Sequence, residues 1–314
     1  MHTRALLVLA ALGSVWGGSF LFIKVVVEET SPLTLVAGRL TLGALPVLAL
    51  TLARRPAVAS PSTLVPKTAV IAALGNAAPF LLISWGEQRI DSGVAAVLNG
   101  TMPLWTALIT VAVLPHERVS ATAMVGLLVG FAGVVALTGS DILRLTESGT
   151  VGNLAVVGAA ALYAASLVFT RATLSREDPL LVAALQLTIG AAMMWPLAFG
   201  ASDGRPDIGL GAHAWGAWLA LGILGTGIAN VGYLWLVNEV GVLTSTVTYI
   251  PPVVGLILGT LLLDETVGLS SVVGAALILA GVAVVTGRAE AVVRGIVRRP
   301  AQEPGVAAGG GGSG

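Results

Sequence analysis

WGGSFLFIKVVVEETSPLTLVAGR, residues 16–39, returns in altered form as YAASLVFTRATLSREDPLLVAALQ, residues 163–186. A constant shift of 147 positions pairs Trp16 with Tyr163, Ser19 with Ser166, Lys24 with Arg171, Pro32 with Pro179 and Arg39 with Gln186, with nothing inserted between them. Short matches arise by chance in a sequence this rich in Ala, Leu and Val; a register kept along the whole stretch does not. A shift of 148 continues the pairing through Gly93 with Gly241, Pro103 with Pro251, Glu117 with Glu265, Gly126 with Gly274, Gly133 with Gly281, and Thr138-Gly139 with Thr286-Gly287. The chain reads as one unit written twice, residues 1–144 and 145–290. The remaining residues, 291–314, end in GVAAGGGGSG and are expected to form a flexible tail.

With 56% hydrophobic and 10% charged residues and a mean hydropathy of +0.94, the composition lies far from the roughly 25% charge of a soluble domain. It is that of a polytopic protein in a lipid bilayer. The chain has no cysteine, which excludes disulfides, thiolate chemistry and cysteine metal sites. The formal net charge is zero, so nothing points to nucleic acid as a partner. No motif implies a cofactor or a metal.

Crossing a hydrocarbon core about 30 Å thick takes roughly 20 apolar residues as helix. Runs of about that length fall at 5–27, 33–53, 68–86, 94–114, 121–138, 151–169, 180–200, 215–237, 242–263 and 269–286. The breaks between them, such as EETSP, EQRIDSG, SREDP and SDGRPD, carry turn residues and leave no room for a soluble domain. The first run is too long for the apolar part of a signal peptide and lacks a cleavage pattern, so it reads as a retained span. The expected fold is an all-α membrane protein, ten transmembrane helices arranged as two five-helix repeats around a central cavity.

Lys and Arg set the orientation. With the N-terminus cytoplasmic, the inner side holds Arg4, Arg54, Arg55, Lys67, Arg118, Arg171, Arg176, Arg288, Arg294, Arg298 and Arg299, against Lys24, Arg89, Arg144 and Arg205 outside. Both termini are then cytoplasmic. Five spans is an odd number, so the second repeat must enter the membrane from the opposite side. Inverted repeats can close one side as the other opens, with the ligand held between them. That symmetry favours a carrier over a receptor or scaffold.

Ten spans in two halves, an aromatic-small-small-Ser segment opening each half, Lys24, Pro32 and Arg39 around the first loop, and Pro103 then Glu117 leading into a Gly-spaced fifth helix together resemble the EamA-like exporters of the drug/metabolite transporter superfamily. The resemblance covers residues 5 to 287. It implies a bacterial inner-membrane carrier that exports amino acids or other small metabolites. It also implies that helices one to four and six to nine surround the cavity, with five and ten at the periphery. One departure is visible: the family usually has Gly before the Glu of this motif, where His116 and Asp264 stand here.

Trp16 lies halfway along the first run, away from the headgroup level where Trp commonly anchors, and Ser19 is one turn further on the same face. Tyr163 and Ser166 repeat the pair. Two readings apply. Either each half offers an aromatic wall and a hydroxyl to a cavity, or the ring packs between helices while the serine bonds its own i−4 carbonyl. Duplication favours the cavity. Arg39 sits a third of the way into the second span, where an unpaired charge costs roughly 2.5 to 3.5 kcal/mol. It either snorkels outward toward Glu28 or Glu29 or meets an anion or carboxylate at the cavity mouth. Its mate Gln186 has lost the charge.

In the fourth span, VLNGTMPLW, Pro103 removes the hydrogen bond that would reach the Asn99 carbonyl. That carbonyl, the Asn99 amide and the Thr101 hydroxyl then gather near mid-membrane, with Trp105 one turn on. Carriers tolerate such breaks beside a cavity. The ninth span, TSTVTYIPP, places Ser245, Thr248 and Tyr249 on one face ahead of Pro251 and Pro252. Pro103, Pro251 and Pro252 are therefore candidate hinges, the alternative being a purely structural kink. Thr226, Asn230 and Tyr233 form a polar stripe in the eighth span, and Asn76 and Pro79 hint at one in the third.

Glu117 and Glu265 are expected to cap the helices that follow them, the alternative being a role in proton coupling. Gly126 and Gly130, continued by Gly133, make a GxxxG face for close contact within the chain or in a homodimer. No carboxylate falls in the middle of any span, and the first lacks the Glu on which the superfamily's small four-helix cation exporters depend. Facilitated diffusion, exchange, or coupling through loop acids is therefore expected. His2, His116 and His213 all lie near span ends, which argues against an intramembrane serine protease.

The expected function is alternating-access export of a small metabolite. Trp16, Trp105, Tyr163, Tyr233 and Tyr249 would supply aromatic surface, and Ser19, Asn99, Thr101, Ser166, Gln186, Asn230 and Thr248 hydrogen bonds, with Arg39 placed for a carboxylate. A non-transporting sensor or scaffold, or an intramembrane enzyme, is the alternative. A sensor or scaffold does not account for polar residues collected at the midplane of both halves.

Overall fold

Among the described residues of the computed structural model, eight helices are long and apolar enough to cross a membrane: Thr3–Val27, Pro32–Arg54, Pro61–Glu87, Ser92–Val113, Gly149–Thr173, Pro179–Ala201, Ala212–Val240 and Leu269–Gly287. Two shorter apolar helices, Ala121–Leu137 and Val247–Leu262, stand where the fifth and ninth spans are expected. The structure describes residues 3–56, 61–113, 121–138, 148–240, 244 and 247–297. Among these there is no strand. The chain is a multi-pass membrane protein.

Helices α1 (Thr3–Val27) and α2 (Pro32–Arg54) are followed by a third span in three pieces: α3 (Pro61–Ala72), a π turn (Ala73–Ala77) and α4 (Ala78–Glu87). The fourth span breaks at Gly100-Thr101 between α5 (Ser92–Asn99) and α6 (Met102–Val113), and α7 (Ala121–Thr138) stands where the fifth span is expected. Then come α8 (Ser148–Thr173), α9 (Pro179–Ala201), α10 (Ala212–Leu219), a longer π segment (Ala220–Ile228), α11 (Ala229–Val240), α12 (Ile250–Leu262) and α13 (Leu269–Val297). Glu117, His116 and Ser245 lie outside the described residues.

The duplicated stretches fold alike for visible reasons. Ser31 caps α2 by accepting from Thr34 N–H at 3.2 Å, with Pro32 at the first helical position. Asp178, 147 positions on, caps α9 by accepting from Leu180 and Leu181 N–H at 2.9 and 3.0 Å, with Pro179 following. In both, an oxygen satisfies orphan N–H groups and a proline gives up an N–H that had no partner to lose. The π segments are also duplicates. Both open Ala-Leu-Gly, at Ala73 and Ala220, again 147 positions apart. The third and eighth helices outrun the apolar runs at their ends, by 61–67 and 87 and by 212–214 and 238–240, outside the π segments.

Helix contacts come in matched pairs. The second span packs along the seventh, α2 on α9, and the fifth along the tenth, α7 on α13. α1 packs against α12 as α8 packs against α5 and α6, and α2 against the later π segment as α9 packs against the earlier one. Most of the buried apolar residues form one continuous core running through both halves. The glycine face of α7 is filled within the chain: Gly126 abuts Gly281 and Val285, Gly130 meets Leu104, and Gly133 lies against Gly274 and Ile278. Helix α13 continues to Val297, past the apolar run, through RAEAVVRGIV, half of whose residues are good helix formers.

Candidate functional site

Arg39 is turned into the bundle. Only 5% of its surface is exposed, its Nε donates to Thr226 Oγ1 at 2.9 Å, and its guanidinium lies 3.6 Å from the centre of the Phe80 ring. The Phe80 ring meets Tyr163 edge-on at 6.2 Å, and the charged or titratable groups that Arg39 senses are Tyr163 and Glu87. Side chains from α2, α4, α8 and the later π segment therefore converge on one cation. A planar guanidinium suits this seat because it can stack on an aromatic face and still donate in its own plane. The snorkelling alternative is not what is seen: Glu29 instead accepts from Gly211 N–H at 2.6 Å.

The π geometry prepares Thr226. Its hydroxyl donates five residues back to the Leu221 carbonyl at 3.0 Å, which leaves the oxygen's lone pairs to accept from Arg39. Asn230 Nδ2 donates to the Thr226 carbonyl at 2.6 Å. Two of the three stripe residues read from the eighth span thus act together.

The duplicated serines are seated symmetrically. Ser19 Oγ is 2.9 Å from where a Cβ on Gly225 would stand, and Ser166 Oγ presses even closer on Gly75. Each serine therefore sits on a glycine in a π segment from the opposite half. Ser19 also bonds its own Val15 carbonyl at 2.9 Å, as the helix-packing alternative has it. Trp16 meets Tyr233 with ring centres 5.6 Å apart, in a satellite cluster with Leu9, Leu12 and Leu236.

The remaining candidates are more scattered. Trp105 packs edge-on to Phe131 of α7 at 5.0 Å, and the Tyr249 hydroxyl bonds Thr286 of α13. Thr248 is half-buried in the turn before α12, and Gln186 half-buried on α9. Thr101 donates to the Leu98 carbonyl at 2.6 Å inside the broken fourth span. Pro103 stands in the first turn of α6, and Pro251 and Pro252 in that of α12, so all three follow a helix break. Asn76 Nδ2, Asn99 Oδ1 and Trp105 Nε1 are buried without a hydrogen-bond partner, as are Ser84 Oγ and both carboxyl oxygens of Glu87.

At the Lys24 end of the bundle the acids behave differently from expectation. Glu265 does not reach for the helix that follows; its two oxygens accept from Ser92 and Gly93 N–H at 2.7 and 3.0 Å, capping α5 of the other half. The preceding Asp91 leaves those N–H groups free, since its side chain makes no cap. Glu87 falls at the end of the third span rather than its middle, yet is wholly buried. Lys24 Nζ donates to the Glu87 and Ile90 main-chain carbonyls at 2.6 and 3.0 Å, closing the end of α4. Two adjoining hollows open here. One of about 290 Å³ is lined by Lys24, Glu28, Asp91 and 263–266, the other of about 260 Å³ by Lys24, Val27, Glu28, Glu87 and Gln88. Neither includes a residue picked out above for substrate.

Thr226, Phe80 and Glu87 are the members of this constellation that sequence reasoning underrated or missed. The repeated Ala-Leu-Gly was the signal that marked both π segments.

Comparison with known proteins agrees with a duplicated transporter. The chain is 25% identical over 280 residues to the uncharacterized transporter YoaV of Bacillus subtilis (strain 168), covering 89% of this chain and 95% of that one. It is 29% identical over 278 residues to a probable terminal-alkyne amino-acid exporter of Streptantibioticus cattleyicolor, covering 87% and 90%. It is 26% identical over 266 residues to the uncharacterized inner membrane transporter YedA of Escherichia coli (strain K12), covering 82% of each. A protein of known crystal structure shares the fold with a TM-score of 0.62 at 23% identity, over 93% of this chain and 99% of that one. The EamA-like transporter family model matches twice, at residues 3–139 and 150–287, so each copy of the repeat matches one unit and the chain belongs to that family.

Proposed function

We propose that this protein is a bacterial inner-membrane carrier that exports small carboxylate-bearing metabolites, amino acids or related amphipathic compounds, by alternating access. In this reading the halves are inverted five-span repeats with both termini cytoplasmic. The matched helix pairs and the reciprocal serine-on-glycine seats support that symmetry. The single observation that carries the substrate class is Arg39: a buried cation on an aromatic face, bonded across the halves, in a family of transporters. A fixed guanidinium with in-plane donors is suited to a carboxylate.

The proposed lining runs from Trp16 and Tyr233 past Ser19, Ser166, Tyr163 and Asn230 to Arg39. Trp105 and Tyr249 are turned toward α7 and α13, and serve the packing of the peripheral spans. Asn76 and Asn99, with unpartnered amide atoms, are the hydrogen-bonding groups left for substrate or water. A relative described as a probable amino-acid exporter supports the same class.

The test is flux in proteoliposomes loaded with a panel of amino acids and, separately, of their amides. Carriage of the acids but not the amides, with loss in Arg39→Ala, is the expected result. No flux of any acid, or flux indifferent to Arg39→Ala, overturns the reading.

A further inference from the structure

The third span carries a polar stripe that the proposed substrate site does not use up. Asn76, Phe80, Ser84 and Glu87 recur at spacings of four, four and three, one face of a helix. Asn76 Nδ2, Ser84 Oγ and both Glu87 carboxyl oxygens are buried with no hydrogen-bond partner. Glu87 itself has no exposed surface, yet it forms part of the wall of the 260 Å³ hollow at the Lys24 end. The stripe therefore runs from the Arg39 seat, where Phe80 belongs, to a hollow at one end of the bundle.

We infer that Glu87 is a proton-binding group that couples transport to protons, an inference that rests on the carrier reading above. A carboxylate in a dry interior needs donors or a paired cation, and Glu87 has neither in this conformation. Both nearby cations are committed elsewhere. Lys24 of α1 holds the Glu87 and Ile90 carbonyls, and Arg39 of α2 holds Thr226 and the Phe80 ring. The other groups facing Glu87 are acids: Glu265 from the loop before α13, and Glu28 across the hollow. Asp91, just beyond the end of α4, adjoins Glu265 and Lys24. From α8, which packs along α4, the titratable group is Tyr163, and it faces Arg39.

The carboxyl is thus held as the neutral acid here. If α1 or α2 slides against α4, Lys24 or Arg39 exchanges its present partner for the Glu87 oxygens, the anion is stabilised, and the proton leaves. Binding and release of one proton accompany each change of conformation, and no other bond is made or broken. Because Arg39 serves both the substrate seat and Glu87, a carboxylate substrate on Arg39 competes with the Glu87 anion for the same cation. With substrate on Arg39 the Glu87 anion loses that partner and keeps its proton, so proton and substrate occupancy rise and fall together.

Two readouts on the full-length protein in lipid test this. Infrared spectra should show a protonated-carboxyl carbonyl band at neutral pH that fades on alkalinisation and is missing in Glu87→Gln. In proteoliposomes, an imposed pH gradient should accelerate flux of a carried amino acid, and the ratio of rates with and without the gradient should fall to unity in Glu87→Gln. Glu87→Asp, which keeps an acid, should retain a response. A band unchanged in Glu87→Gln, or a gradient response equal to wild type, overturns the inference. Flux by the wild type with no gradient response overturns it while leaving the carrier reading intact. If no compound in the panel is carried, the carrier reading fails by itself, and the infrared band still decides whether Glu87 holds a proton.

Discussion

Arg39 Nε and Thr226 Oγ1, 2.9 Å apart, tie the second span of one copy of the repeat to the π segment in the eighth span of the other. Removing the Thr226 hydroxyl leaves the buried Arg39 Nε–H without its acceptor, and a hydrogen bond to a charged group contributes about 1.5–3 kcal/mol. Thr226→Val should therefore lower the thermal midpoint in detergent while Thr226→Ser restores it. Arg39→Lys should not rescue Arg39→Ala, because an ammonium cannot both stack on Phe80 and donate in the plane of a fork.

The reciprocal serine and glycine seats predict a compensating pair. Gly75→Ala would drive a methyl into Ser166, and Gly225→Ala into Ser19, with overpacking costs of about 1–3 kcal/mol each. Both substitutions should slow flux and lower stability. Adding Ser166→Gly to the first, or Ser19→Gly to the second, should recover most of the loss. Recovery in the crossed combinations instead would show that the seats are not those two.

Glu265 caps a helix that is distant in sequence, so its loss should be felt there. Glu265→Ala removes acceptors for the Ser92 and Gly93 N–H groups, at a cost of about 1–2 kcal/mol by analogy with helix caps. Hydrogen exchange should quicken at the amides of Ser92 and Gly93 more than at the start of α13. An effect confined to α13 would restore the expectation that this residue caps its own helix.

Much of this fold is written in local pattern. The repeat, the Ser31-Pro32 and Asp178-Pro179 helix starts and the break at Gly100-Thr101 each follow from residues a few positions apart. What was not legible depends on neighbours. Phe80 is an ordinary apolar residue until Arg39 lies on it. Glu87 stands in EQRIDSG, a segment that reads as a loop, and it is buried only because surrounding spans close over the end of α4. Trp105 and Tyr249 share the residue type of the site aromatics, and no spacing rule separates a ring that faces α7 or α13 from one that faces the centre. The Gly126 face was legible as a contact, whereas its partner, the glycine face of α13, required the fold.

The central claim is that the region between the halves, where Ser166 and Arg39 lie, opens to each side of the membrane in turn. The chain has no cysteine, so Ser166→Cys supplies a single thiol at a position only 5% exposed here. Labelling with a membrane-impermeant thiol reagent in vesicles of both orientations measures access directly. The account predicts labelling from both faces, with a transported amino acid shifting the balance between them. Labelling from one face only, or from neither, would contradict it.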